Sequence, residues 1–137
     1  VKVRLLPGAW AAIEAQVCGG YPHEACGVLL GRAGENAEIL EAHACANVNT
    51  ERAQDRYLIA PLDQLRIEKD ARMRALDVVG YYHSHPDHPA AASATDLQLS
   101  WEQLVYLIVS VREGRAVDRK AWFRPSGKLA FEEVGLD

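Results

Sequence analysis

Apolar and polar positions alternate along the chain in short blocks of two kinds. Trp10, Ile13 and Val17 recur at helical spacing in the Ala-rich residues 8–17, and Gly19-Gly20 ends that helix. A short strand over residues 3–5 precedes it. The run CGVLLG, residues 26–31, is continuously apolar and bounded by glycine, the mark of a buried strand. A turn at 33–36 leads into a second strand over 37–48, so the two form a hairpin. Residues 47–56 are polar and read as a loop, and 57–60 as a brief strand. Pro61 suits a first helical turn and opens a helix to about residue 76, with Leu62, Leu65, Ile67, Met73 and Leu76 as its apolar side. Residues 77–83 (DVVGYYH) form the next strand, and residues 94–102 a helix. Three strands follow at 104–111, 116–124 and 128–134, joined by REG and PSG turns. Strands and helices mix, with antiparallel hairpins at both ends. The expected class is α/β, a mixed β-sheet flanked by helices.

Composition narrows this picture. The 137 residues are 49% hydrophobic and 25% charged, which suits one folded domain over 1–137. No repeat, low-complexity tract or flexible linker divides it. A net charge of −4 is a poor match to a sequence-independent nucleic-acid binder, which needs a basic footprint. The longest apolar stretch, 104–111, includes Ser110 and is too short to span a bilayer. The opening VKVRLLPGAWAAIEAQ lacks a secretory pattern. Cys18, Cys26 and Cys45 are odd in number and form no CxxC. That argues against a disulfide framework or a structural zinc knuckle, and a reducing cytoplasm is expected. Oligomeric state is not legible.

The informative stretch is YHSHPDHPAAASATDL, residues 82–97. His83 and His85 are two apart at the end of an apolar strand, so both imidazoles lie on one face and Ser84 on the other. Pro86 cannot continue the ladder, and the strand ends where the imidazoles need open space. Ser93 is a good helix N-cap and places Asp96 at the third helical position. Alone, Ser-x-x-Asp is more often a cap than a ligand, and His-x-His more often ordinary polar chemistry. Strand, breaker and helix in that order bring two imidazoles and a carboxylate together. Three protein ligands leave a fourth tetrahedral position open, as in a catalytic Zn2+ site. Such a site needs a base, because zinc lowers the pKa of bound water to about 7 and a carboxylate must carry the proton away. Glu24, immediately before the buried CGVLLG strand, is the candidate; without the rest it would read as a solvated loop glutamate.

Glu24 with the CGVLLG strand, His83-Ser-His-Pro and Ser93-x-x-Asp96 together resemble the JAMM (MPN+) metalloprotease family, whose pattern is an upstream Glu, His-x-His, ten residues, and Asp. Ten residues separate His85 from Asp96. The resemblance covers nearly the whole chain. It implies that His83, His85 and Asp96 hold zinc, that Glu24 is the general base and that Ser93 steadies the oxyanion. It also implies a sheet flanked by helices, similar to the cytidine deaminase fold, although the deaminase signature is absent. The implied substrates are peptide or isopeptide bonds at the C-terminus of ubiquitin or a ubiquitin-like protein. HSHPDHPA, SATDL, YLIVSV and Trp122 are similar to the compact bacterial branch, whose enzymes process ubiquitin-like sulfur-carrier proteins. The alternatives are a zinc amidohydrolase on a small-molecule amide and an inactive binding scaffold of the MPN type.

Of the neighbouring residues, His88 reads as an exposed loop histidine rather than a fourth ligand, and Cys26 as a buried core cysteine rather than a metal contact. Trp101 and Trp122 read as core or edge packing. The polar loop 47–57 could border a groove that takes an extended peptide.

Overall fold

The computed structural model describes residues 1–137. The elements in chain order are β1 (Lys2–Leu5), α1 (Pro7–Gly20), β2 (Cys26–Arg32), β3 (Asn36–Cys45), α2 (Pro61–Met73), β4 (Asp77–Pro86), α3 (Ala94–Gln98), β5 (Val105–Arg112), β6 (Arg115–Phe123) and β7 (Glu132–Leu136). This is the mixed α/β class expected. No helix is long and apolar enough to cross a membrane.

The strands do not form an open layer. They run β1-β3-β2-β4-β5-β6-β7 and close into a barrel. The closing strand is β1, parallel to both β3 and β7, with Val3 opposite Ala37 on one side and Leu136 on the other. The hairpins β2–β3 and β5–β6–β7 are antiparallel, as expected.

β4 is the central strand for function. It pairs antiparallel with β2 and parallel with β5. Parallel neighbours need a crossover connection, and the segment from Pro86 through α3 provides it. Close approach here depends on Gly80, where a Cβ would stand 1.7 Å from the Val105 carbonyl oxygen.

Buried side chains sort by strand period onto two faces. Val28, Leu30 and Tyr106 pack under α2 with Ile67 and Ala71, while Leu29, Leu107 and Val109 pack under α1 with Ala9, Ile13 and Val17. A bulge between Leu29 and Leu30 shifts the pairing with β4. After it, Tyr81 faces α2 and Tyr82 faces α1. His83 and His85 follow in the phase of Tyr81.

Several elements depart from expectation. β3 stops at Cys45 rather than 48 and β4 runs to Pro86 rather than 83. Of the residues expected on the apolar side of α2 only Ile67 is buried, while Leu62, Leu65 and Met73 are exposed. Residues 57–60 are not a strand; they make a single bridge, Asn47 to Ile59. α3 stops at Gln98 rather than 102, because the Ser100 hydroxyl donates to the Leu97 carbonyl and Gln103 turns the chain at φ 63°. The last strand is Glu132–Leu136 rather than 128–134.

Candidate metal centre

β4 carries His83 and His85 to its C-terminal end, and Pro86 is its last residue. Asp87 then adopts φ 62° and its N–H donates to the Val111 carbonyl, turning the chain away. Three consecutive carbonyls fasten the following loop. Ser110 Oγ donates to His88 O at 2.6 Å, His85 Nδ1 meets Pro89 O at 2.8 Å, and Trp122 Nε1 donates to Ala90 O at 3.0 Å. The loop therefore delivers Ser93 and α3 to a defined place. Ser93 Oγ accepts from the Asp96 N–H at 3.0 Å, and the Ser93 N–H donates to Asp96 Oδ2 at 2.9 Å, a reciprocal capping box. The box both starts the helix and orients the carboxylate.

The result is a compact donor set. His83 Nε2 lies 3.2 Å from His85 Nε2 and 3.1 Å from Asp96 Oδ1, and His85 Nε2 lies 3.1 Å from Asp96 Oδ2. Two nitrogens bound tetrahedrally to one zinc at ordinary bond lengths stand about 3.3 Å apart. The spacing fits, and the three side chains could hold a metal ion. The Pro89 carbonyl accepts a hydrogen bond from the Nδ1–H of His85, which favours the tautomer with a bare Nε2 that a metal ligand needs. Burial holds His83 below the usual histidine range. For His85 burial also opposes the charge, but Asp96, the Pro89 carbonyl and Glu24 outweigh it and raise its pKa. Burial pushes Asp96 up, yet its bonds to both histidines and Ser93 keep it well below the carboxylate range. The set thus joins one carboxylate to two imidazoles whose pKa values are pushed in opposite directions, and a bound cation would compete with protons for the same nitrogens.

Glu24 is buried immediately before β2. Its N–H donates to Ala53 O at 2.6 Å and its carbonyl accepts from Asn47 Nδ2 at 3.0 Å. Glu24, His85, Ser93 and Asp96 line one cavity of about 30 Å³, room on the scale of a water molecule. Burial raises the Glu24 carboxyl to about 8 in the metal-free chain, with Asp96 and Asp55 adding to the rise and His85 and Arg56 opposing it.

The structure therefore gathers all five expected residues at one place. His88 is exposed and stands outside the donor set. Cys26 is fully buried in the α2-side core, directly across from Cys45, and burial pushes its thiol up to about 12. Trp101 is not packing residue; it is 68% exposed. Tyr57 and Arg56 also line the cavity. No motif marks them: in the sequence they only end a polar loop. Two clefts flank the site. One, of about 200 Å³, is apolar and shares Tyr57 and Leu99 with the metal cavity. The other, of about 790 Å³, is polar and includes His23, Asp55 and His88.

Comparison with known proteins agrees with this geometry. The desampylase of Haloferax volcanii is 38% identical over 93 residues, 67% of this chain and 66% of that protein. The CysO-cysteine peptidase of Mycobacterium tuberculosis is 29% identical over 126 residues, 91% of this chain and 84% of that protein. A solution structure of a protein from Desulfitobacterium hafniense superposes with a TM-score of 0.81 at 28% identity, covering 98% of this chain and 92% of that one. One from Salinibacter ruber gives 0.73 at 33% identity, covering 98% and 91%. Residues 7–124, which hold Glu24, both histidines, Ser93 and Asp96, match the model of prokaryotic homologs of the JAB domain, and the chain belongs to that family.

Proposed function

We propose that this chain is a zinc-dependent metallopeptidase that hydrolyses the peptide or isopeptide bond after the C-terminal Gly-Gly of a ubiquitin-like, sulfur-carrier type protein. The observation that carries the reading is the convergence of His83, His85 and Asp96 within 3.2 Å of one another, in a cavity that Glu24 also lines. The names of the relatives, a desampylase and a CysO-cysteine peptidase, support hydrolysis of a ubiquitin-like conjugate. Two imidazoles and one carboxylate suit zinc. When bound, zinc would supply Lewis acidity toward the scissile carbonyl and toward water.

The chain's own residues supply the rest. Glu24 ionises more readily beside a bound cation than in the metal-free chain. As carboxylate it accepts a proton from the attacking water and passes it to the departing nitrogen. The Ser93 hydroxyl already accepts from the Asp96 N–H, so its own proton is left to donate to the developing oxyanion. The closed barrel offers no sheet edge to an incoming tail, but the 57–59 segment, held by a single bridge, offers unpaired backbone groups. Leu58 uses both backbone groups, bonding Asn47 Oδ1 and the Val48 N–H, whereas those of Tyr57 and Ile59 make no hydrogen bond. An extended tail adds there as a strand, in the apolar cleft. Glycine lets its last residues approach the donor set without a Cβ clash. The leaving group then faces the polar cleft.

The test is a carrier bearing one extra C-terminal residue, beside the same fusion with Gly-Gly changed to Ala-Ala. The first is cleaved, a chelator stops the cleavage and zinc restores it. Equal cleavage of both would remove the Gly-Gly reading, and cleavage undiminished by chelator would remove the metal. Turnover of simple amides with none of carrier fusions would turn the reading to an amidohydrolase. No turnover of either by zinc-loaded protein would leave a binding scaffold.

A further inference from the structure

The two histidines of the donor set are held differently. His85 gives its Nδ1 to the Pro89 carbonyl at 2.8 Å. His83 Nδ1 is buried and meets no hydrogen-bond partner. A metal-binding imidazole usually has its second nitrogen tied to an acceptor that fixes the ring, so something else must orient His83. Tyr57 does: its ring lies 4.5 Å from that of His83, centroid to centroid, at an interplanar angle of 22°.

Tyr57 is itself firmly placed, with one side chain bonded to both its neighbours. Asn47 Nδ2 donates to the Arg56 carbonyl at 3.1 Å, and Asn47 Oδ1 accepts from the Leu58 N–H at 3.0 Å. These bonds grip the residues on either side of Tyr57. The same Nδ2 donates to the Glu24 carbonyl at 3.0 Å, so a single amide sets Glu24 and the aromatic ring relative to each other.

We propose that Tyr57, clipped by Asn47, is the positioning residue for His83, holding by ring stacking the imidazole whose Nδ1 no hydrogen bond holds. The inference rests on the metal-centre reading and goes beyond it, because Tyr57 stands outside the Glu, His-x-His, Ser-x-x-Asp pattern. An aromatic face, not the hydroxyl, is what the role requires. Tyr57→Phe therefore keeps it, and a non-aromatic side chain of similar bulk loses it.

The experiment is cobalt(II) and zinc(II) titration of chelator-stripped full-length protein, read by the cobalt d–d spectrum and by competition with a chromophoric chelator. Tyr57→Phe matches the parent. Tyr57→Leu and Tyr57→Met bind about 10- to 100-fold more weakly, the usual effect of losing an outer contact to a ligand, and their cobalt spectra change, while the metal-free unfolding midpoint stays near that of the parent. In the unsubstituted chain, the His83 ring protons are shifted upfield by the Tyr57 ring current relative to those of His85, which needs no variant to fold. Parent protein that binds no metal would overturn the metal-centre reading. Parent that binds metal, with Tyr57→Leu or Tyr57→Met equal to it, would overturn the role of Tyr57 alone. So would a tenfold loss in Tyr57→Phe, or His83 protons without the upfield shift.

Discussion

Glu24 shows how one residue can be tied by its backbone and free in its side chain. The N–H and C=O are engaged by Ala53 and Asn47, so they hold whatever side chain stands there. The carboxyl faces the small cavity shared with His85 and Asp96. Glu24→Gln keeps shape and backbone bonds and removes only the ability to take a proton. The expected outcome is an unchanged fold and metal content with turnover lower by about 10² to 10⁴, the usual contribution of a general base. Metal analysis and carrier-cleavage rates on the same preparation check it. Turnover close to that of the parent would place the base elsewhere.

At the scale of elements, Ser93 and α3 are inseparable. Ser93→Ala removes the acceptor for the Asp96 N–H but keeps the residue-93 N–H that holds Asp96 Oδ2. Metal binding should survive. Stability should fall by about 1 kcal/mol, the cost of a lost N-cap, and turnover by about 10² to 10³ if the hydroxyl serves the oxyanion. Unchanged turnover in the folded variant would leave Ser93 as a cap alone. A second prediction concerns the β4–β5 pair. A Cβ at residue 80 would meet the backbone of Val105, which cannot rotate aside. Gly80→Ala should cost about 1–3 kcal/mol or more, read as a lower denaturation midpoint. An unmoved midpoint would mean the two strands separate easily.

Elements were legible where the local pattern is strong. β2 and β5 are apolar runs because both their faces are buried, and the strand–breaker–cap order of residues 83–96 set out the donor group. The rest failed for identifiable reasons. Tyr57-Leu-Ile-Ala60 is as apolar as a strand, but it meets one bridge partner and its apolar side chains line a cleft. Trp101 stands four residues after Leu97, a helical spacing that carries the pattern past the end of α3, although Trp101 is exposed. The closure by β1 joins residues 2–3 to 135–136, a pairing between chain ends that no local period encodes.

At the scale of the whole molecule, the candidate metal site has an apolar cleft on one side and a polar cleft on the other. The proposed function puts the substrate's tail in the first and its leaving group toward the second. The apolar cleft reaches the surface through Leu58, Leu99 and Trp101, at 57%, 66% and 68% exposure. Singly exposed apolar residues are ordinary, but three around one cleft that adjoins the candidate metal cavity fit a surface that meets a partner. Trp101 is the largest. Its side chain is exposed, and its backbone N–H is secured to Tyr106 Oη at 2.8 Å, so the ring stands on a fixed base. Exposed aromatic anchors often carry a large share of binding energy, about 2 kcal/mol or more on truncation. Trp101→Ala removes that anchor while the Tyr106 bond, made by backbone, remains. Stability should therefore change by no more than about 0.5 kcal/mol, as at surface positions without a packing role. KM for a carrier fusion should rise by about 30-fold, the equivalent of 2 kcal/mol. Turnover at saturation should stay close to the parent's, because the ring meets the tail before and during reaction alike and its loss is one of uniform binding. Steady-state kinetics with the full carrier and with a short Gly-Gly peptide separate the outcomes. A KM unchanged for both would take the apolar cleft out of substrate binding. A fall in kcat with KM unchanged would make Trp101 part of the reacting geometry instead.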